Sequence, residues 1–442
     1  MALTDSRDLP VSTQNARSVE QYETALQLLN GYYGDPLAAI DTALAADPGF
    51  AMGHALRAAL MVTSGDGTAE PMLRQSVEAG EALHTRANDR ERRHIAAARA
   101  WLDGEFERSV RLYGDIVIDY PRDLLAIQTA HLEDFLLGQS SMLRDRVAQA
   151  LPHWDAGMPG YGYLLGMHAF GLEETQLYGR AEESGRRALE LNPRDPWAVH
   201  AVAHVMEMQG RLADGIAWLD GRRDDWSDDN MLAVHNWWHL ALFQLEDGRT
   251  DEVLALYDRY IKRPAPAIAL DLVDASALLW RLHLRGVDVG RRWQPVADDW
   301  LGRGAAGYYA FNDVHAVMAS LGAHRPAAAD QVRAALERAA LGNGTNAMMS
   351  RDVGLPVADA LVAFDQGDYT TAIDLLTPVR LIAHRFGGSH AQRDVISLTL
   401  LEAALRGGRS NLAIALTAER AALKPMSPSL HRLVQRADSC RA

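Results

Sequence analysis

The stretch Ala188-Leu189-Glu190-Leu191-Asn192-Pro193 closes a run of apolar residues at helical spacing with a proline. Proline cannot extend an α-helix and disfavours helical geometry in the residue before it, so the stretch predicts a helix end. Two similar stretches end at Pro48 and Pro121. The three prolines are 73 and 72 residues apart, close to two units of the roughly 34-residue tetratricopeptide repeat. This spacing predicts tandem helical hairpins.

Glycine turns and further proline stops continue the pattern along the chain, while strand signals are nearly absent. Glycine readily takes the left-handed conformation that ends a helix, so these turns mark hairpin corners. The predicted corners and stops are Gly179-Arg180, Gly210-Arg211, Gly248-Arg249, Pro264, Gly367-Asp368, Gly387-Gly388 and Lys424-Pro425. We predict one continuous all-α domain over residues 1–442. Its predicted fold is a tetratricopeptide-type α-solenoid, a right-handed superhelix of helical hairpins, with irregular units around residues 285–350.

Composition and charge narrow the classes of function. The chain has 442 residues, of which 48% are hydrophobic and 23% charged, values typical of a protein with a large buried core. Its formal net charge is −14, and an acidic surface repels nucleic acid and anionic membranes. No stretch reaches the roughly 18 consecutive apolar residues of a membrane span. We therefore expect neither a nucleic-acid partner nor membrane attachment.

Cysteine usage and the first residues bear on the compartment. The chain has one cysteine, Cys440, which cannot form an internal disulfide or a thiolate metal site and suits a reducing compartment. Residues 1–15 lack the apolar core of a signal peptide. We expect a cytoplasmic protein.

Several longer strings also resemble a known family along nearly the whole chain. They are Met52-Gly53-His54-Ala55, Val199-His200-Ala201-Val202-Ala203-His204 with Glu207-Met208, His235-Asn236-Trp237-Trp238-His239, Phe311-Asn312-Asp313-Val314-His315, Arg351-Asp352-Val353-Gly354-Leu355-Pro356 and Ala391-Gln392-Arg393-Asp394-Val395. The chain resembles the tetratricopeptide repeat protein 38 family. The resemblance implies the solenoid fold, and it implies no particular reaction.

Two histidine pairs are the strongest functional signal. His200 and His204, and likewise His235 and His239, are four residues apart, which places both members of a pair on one helix face. The two pairs are offset by 35 residues, about one repeat. They therefore fall at equivalent positions of adjacent first helices, which we expect to line the concave wall of the solenoid.

Other polar residues fall near this register, and each receives a predicted role. The four paired histidines are the predicted metal ligands. The predicted catalytic residues are Glu207, Asp271, Asp313 and His315, and the predicted substrate-binding residues are His54, His131, Trp238 and Asn312. Imidazole is a common ligand of zinc and also suits iron, so zinc or iron is the expected divalent metal. Three of these groups would build a single-ion site more easily than all four, because neighbouring helices pack about 8–10 Å apart.

Three interpretations of the histidine pairs remain open: metal ligation, metal-free catalysis or substrate binding, and plain hydrogen bonding between helices. The first two predict a small-molecule site, which holds one divalent metal under the first interpretation, and a metal- or histidine-dependent enzyme if the protein catalyses a reaction. The alternative function is a non-catalytic adaptor that binds a peptide or protein in the groove, as tetratricopeptide arrays commonly do. A protein partner or a homo-oligomer is also compatible with the sequence.

Overall fold

The computed structural model describes residues 3–262, 267–424 and 427–439. The predicted helix stops at Pro264 and Pro425, and the lone thiol of Cys440, lie outside these described residues. The described chain begins with a short antiparallel strand pair, Leu3–Thr4 with Pro10–Val11. α-Helices dominate the rest.

The first ten helices form successive hairpins in which each helix packs on the next. They are α1 (Ala16–Gly31), α2 (Pro36–Ala46), α3 (Ala51–Thr63), α4 (Glu70–Ala82), α5 (Asp89–Leu102), α6 (Phe106–Asp119), α7 (Leu124–Leu136), α8 (Ser140–Ala150), α9 (Tyr161–Glu174) and α10 (Tyr178–Leu191).

Fifteen more helices follow among the described residues, interrupted by π-helical turns at Tyr257–Ile261 and Ser350–Gly354. They are α11 (Pro196–Met208), α12 (Leu212–Asp220), α13 (Arg223–Trp226), α14 (Ala233–Glu246), α15 (Thr250–Leu256), α16 (Ala269–Leu284), α17 (Trp293–Arg303), α18 (Ala310–Gly322), α19 (Pro326–Ala340), α20 (Thr345–Met349), α21 (Leu355–Asp365), α22 (Tyr369–Val379), α23 (His390–Arg406), α24 (Ser410–Leu423) and α25 (Pro428–Ser439).

The described helices end where the prolines and glycines predict, with one exception. α2, α6 and α10 each end two residues before the proline that predicts their end. Gly210, Gly248 and Gly367 have φ of 70°, 85° and 78° in the corners that follow α11, α14 and α21. The predicted turn at Gly179 is wrong, because Gly179 is the second residue of α10. The left-handed residue of that corner is Gln176, with φ of 64°.

The predicted fold class, an all-α tetratricopeptide-type α-solenoid, is confirmed. The chain divides into two compact units, the first comprising Met1–Val202 and Asp224–Ala233 and the second Ala203–Arg223 and Val234–Ala442. The single continuous domain remains a prediction. Among the described residues, no helix combines the length and apolarity needed to cross a membrane.

Helices distant in sequence also meet inside the second unit. The guanidinium of Arg281 on α16 donates to the carbonyl of Ala391 on α23 at 2.6 Å. The indole of Trp280 donates to the hydroxyl of Thr399 at 3.0 Å. These buried hydrogen bonds tie α16 to α23 beside the histidine-bearing helices.

Candidate functional site

Three buried histidines meet inside the second unit. His204 lies on α11, and His235 and His239 lie one turn apart on α14. The ring centroids of His204 and His239 are 4.4 Å apart, and those of His235 and His239 are 4.8 Å apart. One nitrogen of each ring lies within 4.8 Å of the other two. The geometry is that of a cluster that could hold a metal ion.

Two of these imidazoles are hydrogen-bonded to carboxylates through Nδ1. His235 Nδ1 is 2.8 Å from Asp274 Oδ2 on α16, and His239 Nδ1 is 3.1 Å from Glu207 Oε2 on α11. Because a carboxylate oxygen accepts, Nδ1 is the donor and carries a proton in both rings. Nε2 is then the nitrogen that would bind a cation, as in the carboxylate–imidazole–metal arrangement of metalloproteins.

Burial controls the ionisation of this cluster. Burial, followed by neighbouring His204, His235, Arg281 and Lys424, holds the pKa of His239 well below its usual range, so its imidazole is neutral at pH 7. Burial also raises the pKa of the Asp274 carboxyl, although His235 and Arg281 oppose the rise. A neutral imidazole is the form that binds metal.

Trp238 and Arg281 close one side of the cluster. The indole of Trp238 lies nearly parallel to the His235 ring, with centroids 5.3 Å apart. The Arg281 guanidinium carbon lies 5.3 Å from the centroid of the Trp238 ring, a cation–π contact. Burial lowers the pKa of Arg281 to about 10, and the side chain stays cationic at pH 7. Trp238, predicted to bind substrate, therefore contacts the predicted ligand His235.

A cavity of about 550 Å³, part of it open to solvent, lies beside the cluster. Glu207 and Arg281 both line it, so it reaches the groups that surround the imidazoles. Lys424 also lines it and donates to Glu207 Oε1 at 3.3 Å. The Glu207 carboxylate is thus held between an imidazole and an ammonium group, and its side chain is 12% exposed.

The remaining predicted residues of the second unit lie on α16 and α18. Asp271 is buried in the first turn of α16, three residues before Asp274. On α18, Asp313 accepts from the Gly307 amide, and His315 Nδ1 donates to the Phe311 carbonyl at 2.7 Å. Burial raises the pKa of Asp313 to about 7 and lowers that of His315 to about 4. Asn312 neighbours Asp313 on the same helix.

Three predicted residues belong to the first unit. His54 is half-buried, and its Nε2 bonds the Pro48 carbonyl at 3.0 Å. His131 and His200 are buried and both pack on the rings of Phe170 and Trp197. His200 precedes His204 by one turn of the same helix.

The sequence argument missed Arg281 and Lys424 as members of the site. Arg281 had a local signal, because it is a charged residue two turns after Asp274 on a helix that is otherwise strongly apolar. Lys424 had none, since it lies 217 residues from Glu207 in the chain.

Comparison with known proteins adds no specific activity. No family model matches the chain. Among solved structures, it is similar to a human IFIT1 dimer with m7Gppp-AAAA (TM-score 0.43, 12% identity, covering 96% of this chain and 95% of that one). It is also similar to the APC/C hetero-tetramer Cut9-Hcn1 (TM-score 0.36, 11% identity, 96% of each chain) and to yeast Tom70 (TM-score 0.32, 12% identity, 96% and 87%).

Proposed function

We propose that this protein binds one divalent metal ion through His204, His235 and His239 and uses that site to act on a small molecule. One observation carries the proposal: three buried imidazoles each place a nitrogen within 4.8 Å of the other two. A structural hydrogen-bond network does not require three imidazoles to converge, whereas a metal site does.

The donor set fits zinc or iron. Nitrogens bound to one tetrahedral zinc ion at about 2.1 Å lie about 3.4 Å apart. The nitrogens of the cluster are at most 4.8 Å apart, so the rings need to close by about 1.4 Å at most, a movement within reach of small side-chain rotations. Three imidazole ligands leave at least one coordination position for water or substrate, as in catalytic zinc sites.

The surrounding carboxylates have distinct roles in this proposal. Asp274 is fully buried and orients His235. Glu207 orients His239 and also borders the cavity, where it could accept a proton from a bound molecule. A bound metal would supply Lewis acidity or an activated water. The proposed ligand therefore occupies the 550 Å³ cavity that Glu207 lines.

Elemental analysis of protein purified without a histidine tag tests the proposal. We expect about one zinc or iron per chain, since three imidazoles form one site. His204→Ala and His239→Ala should lose that metal, and His200→Ala tests the fourth ligand predicted from sequence. Two controls should keep it: His84→Ala, which changes an exposed histidine, and His94→Ala, which removes a buried one bonded to Asp123.

Stability measurements separate ligation from a structural role. A ligand that binds only the folded state stabilises it by mass action. A chelator should therefore lower the melting temperature of the parent protein and leave that of His204→Ala unchanged. A metal-free parent whose histidine variants match it in stability would refute the metal site. The adaptor function would then become the leading hypothesis.

A further inference from the structure

A second cavity, of about 870 Å³, lies in the second unit and is lined by four cationic side chains, three of which are also paired with carboxylates. Arg380, Arg393, Arg420 and Lys424 line it, together with one lining carboxylate, Asp394. The chain as a whole carries a net charge of −14. The cavity lining therefore has more cations than carboxylates, whereas the whole chain is acidic. A cleft lined by one sign of charge concentrates ligands of the opposite sign.

The guanidinium groups of this cavity are held in place by other parts of the fold. Arg420 makes a two-bond pair with Asp394, at 2.7 and 2.8 Å. Arg380 makes a two-bond pair with Glu419. Arg393 donates to the carbonyl of Gly388. Ordered side chains lose less conformational entropy when a ligand binds, so this lining is pre-organised.

The chemistry of the lining specifies an oxyanion. A guanidinium presents parallel N–H donors that match the two oxygens of a carboxylate or phosphate. His390 is part of the same lining and lies 3.4 Å from the Arg393 guanidinium.

We propose that this second cavity binds the carboxylate or phosphate group of a small organic molecule. Asp394, Arg420 and Lys424 line both this cavity and the 550 Å³ cavity beside the histidines. An anion in the second cavity would contact the same Lys424 ammonium group that contacts Glu207. The rest of the bound molecule would then lie toward the histidine cluster. The inference deepens the proposed function by naming the substrate class, but anion binding itself does not depend on a metal.

Isothermal titration of the full chain with inorganic phosphate and, separately, with succinate tests the proposal and distinguishes the two oxyanions. We expect one site per chain for at least one of them, in chelator-treated and in metal-loaded protein alike. Arg380→Gln and Arg393→Gln should each weaken binding roughly tenfold or more, because a charge-assisted hydrogen bond is lost. Arg338→Gln, which removes an exposed charge on α19, should bind as the parent does.

Two titration results would contradict the proposed anion site. Absence of binding of both anions up to about 10 mM, or equal affinity of parent and both cavity variants, would overturn the proposal. Arg380 pairs with a half-exposed carboxylate, so its replacement costs little stability, and this variant decides the outcome if Arg393→Gln does not fold. Anion binding by a protein that contains no metal would refute the metal site alone.

Discussion

His235 and Asp274 are 39 residues apart in the chain, yet Nδ1 of the imidazole lies 2.8 Å from Oδ2 of the carboxylate and both side chains are buried. The contact joins α14 to α16. It fixes the orientation of one of the three clustered imidazoles, and a buried carboxylate in this position makes the opposite ring nitrogen a stronger metal ligand.

Asp274→Asn should weaken zinc binding by about 10- to 100-fold, the usual effect of losing a carboxylate behind a metal-binding imidazole. The asparagine amide oxygen can still accept from Nδ1, so the ring keeps its orientation and loses the basicity that the charge provides. Competition with a chromophoric chelator measures the affinity. Asp330→Asn, at a carboxylate that is 65% exposed on α19, is the matched control. Equal affinities for the two variants would contradict a supporting role for Asp274.

Asp123→Ala should lower the free energy of unfolding by about 3–5 kcal/mol, because it removes the nearer of the two carboxylates that pair with the buried Arg90 guanidinium. In the first unit, Asp123 accepts from Arg90 at 3.0 Å and from His94 at 2.8 Å, and all three side chains are about 1% exposed or less. Urea denaturation measures the loss. Asp41→Ala breaks the Arg57–Asp41 pair, whose carboxylate is 47% exposed, and should cost less than about 1 kcal/mol. Similar losses in both variants would show that burial does not govern this network.

Asp195→Asn should stabilise the protein at pH 8, and by clearly less at pH 5. Burial raises the pKa of the Asp195 carboxyl to about 7, although hydrogen bonds from the backbone amides of Ala198 and Trp197 lower it. The unfolded value is about 3.9, so the folded state binds an extra proton between these values. The associated stability is fully present below about pH 3.9, and it is lost progressively until the pH passes about 7.

The gain at pH 8 is at most about 4 kcal/mol, from about 1.4 kcal/mol per pKa unit. Asparagine can still cap α11, because its side-chain oxygen can accept from the Ala198 amide as Asp195 does. Urea denaturation at both pH values measures the effect. Asp35→Asn, at the exposed cap of α2, is the matched control for a helix cap that is not buried. A gain that is equal at pH 5 and pH 8 would rule out ionisation of Asp195 as its cause.

Gly171→Ala should destabilise the first unit by about 1–3 kcal/mol or more, as overpacking does. A β-carbon at Gly171 on α9 would lie 2.4 Å from the amide nitrogen of Arg144 and 2.5 Å from the carbonyl of Leu143, both backbone atoms of α8. Gly179→Ala on α10 meets no atom within 4 Å and should stabilise the helix by about 0.5–1 kcal/mol. Thermal unfolding of both variants measures the contrast. A tolerated alanine at Gly171 would mean that α8 and α9 can separate at little cost.

Much of the fold and part of the candidate site could be predicted from sequence. Proline and glycine act on the backbone of their own residue or its neighbours, so the ends of α2, α6 and α10 are local properties. The turn predicted at Gly179 is wrong because glycine permits a corner without requiring one. Gln176 adopts the left-handed conformation instead. The histidine spacing also succeeded in part, since it predicted that His204 and His239 would meet.

The sequence by itself determined most helix ends and the helix face on which each paired histidine lies. Helix ends depend on the backbone preferences of proline and glycine, and the face depends on a period of about 3.6 residues. Only the tertiary structure decided which charges meet. Glu207 bonds His239 on α14 rather than a histidine of its own helix. Asp274, three residues after the predicted Asp271, is the partner of His235. These choices depend on how one packed helix is rotated against another, and no local period along the chain records that rotation.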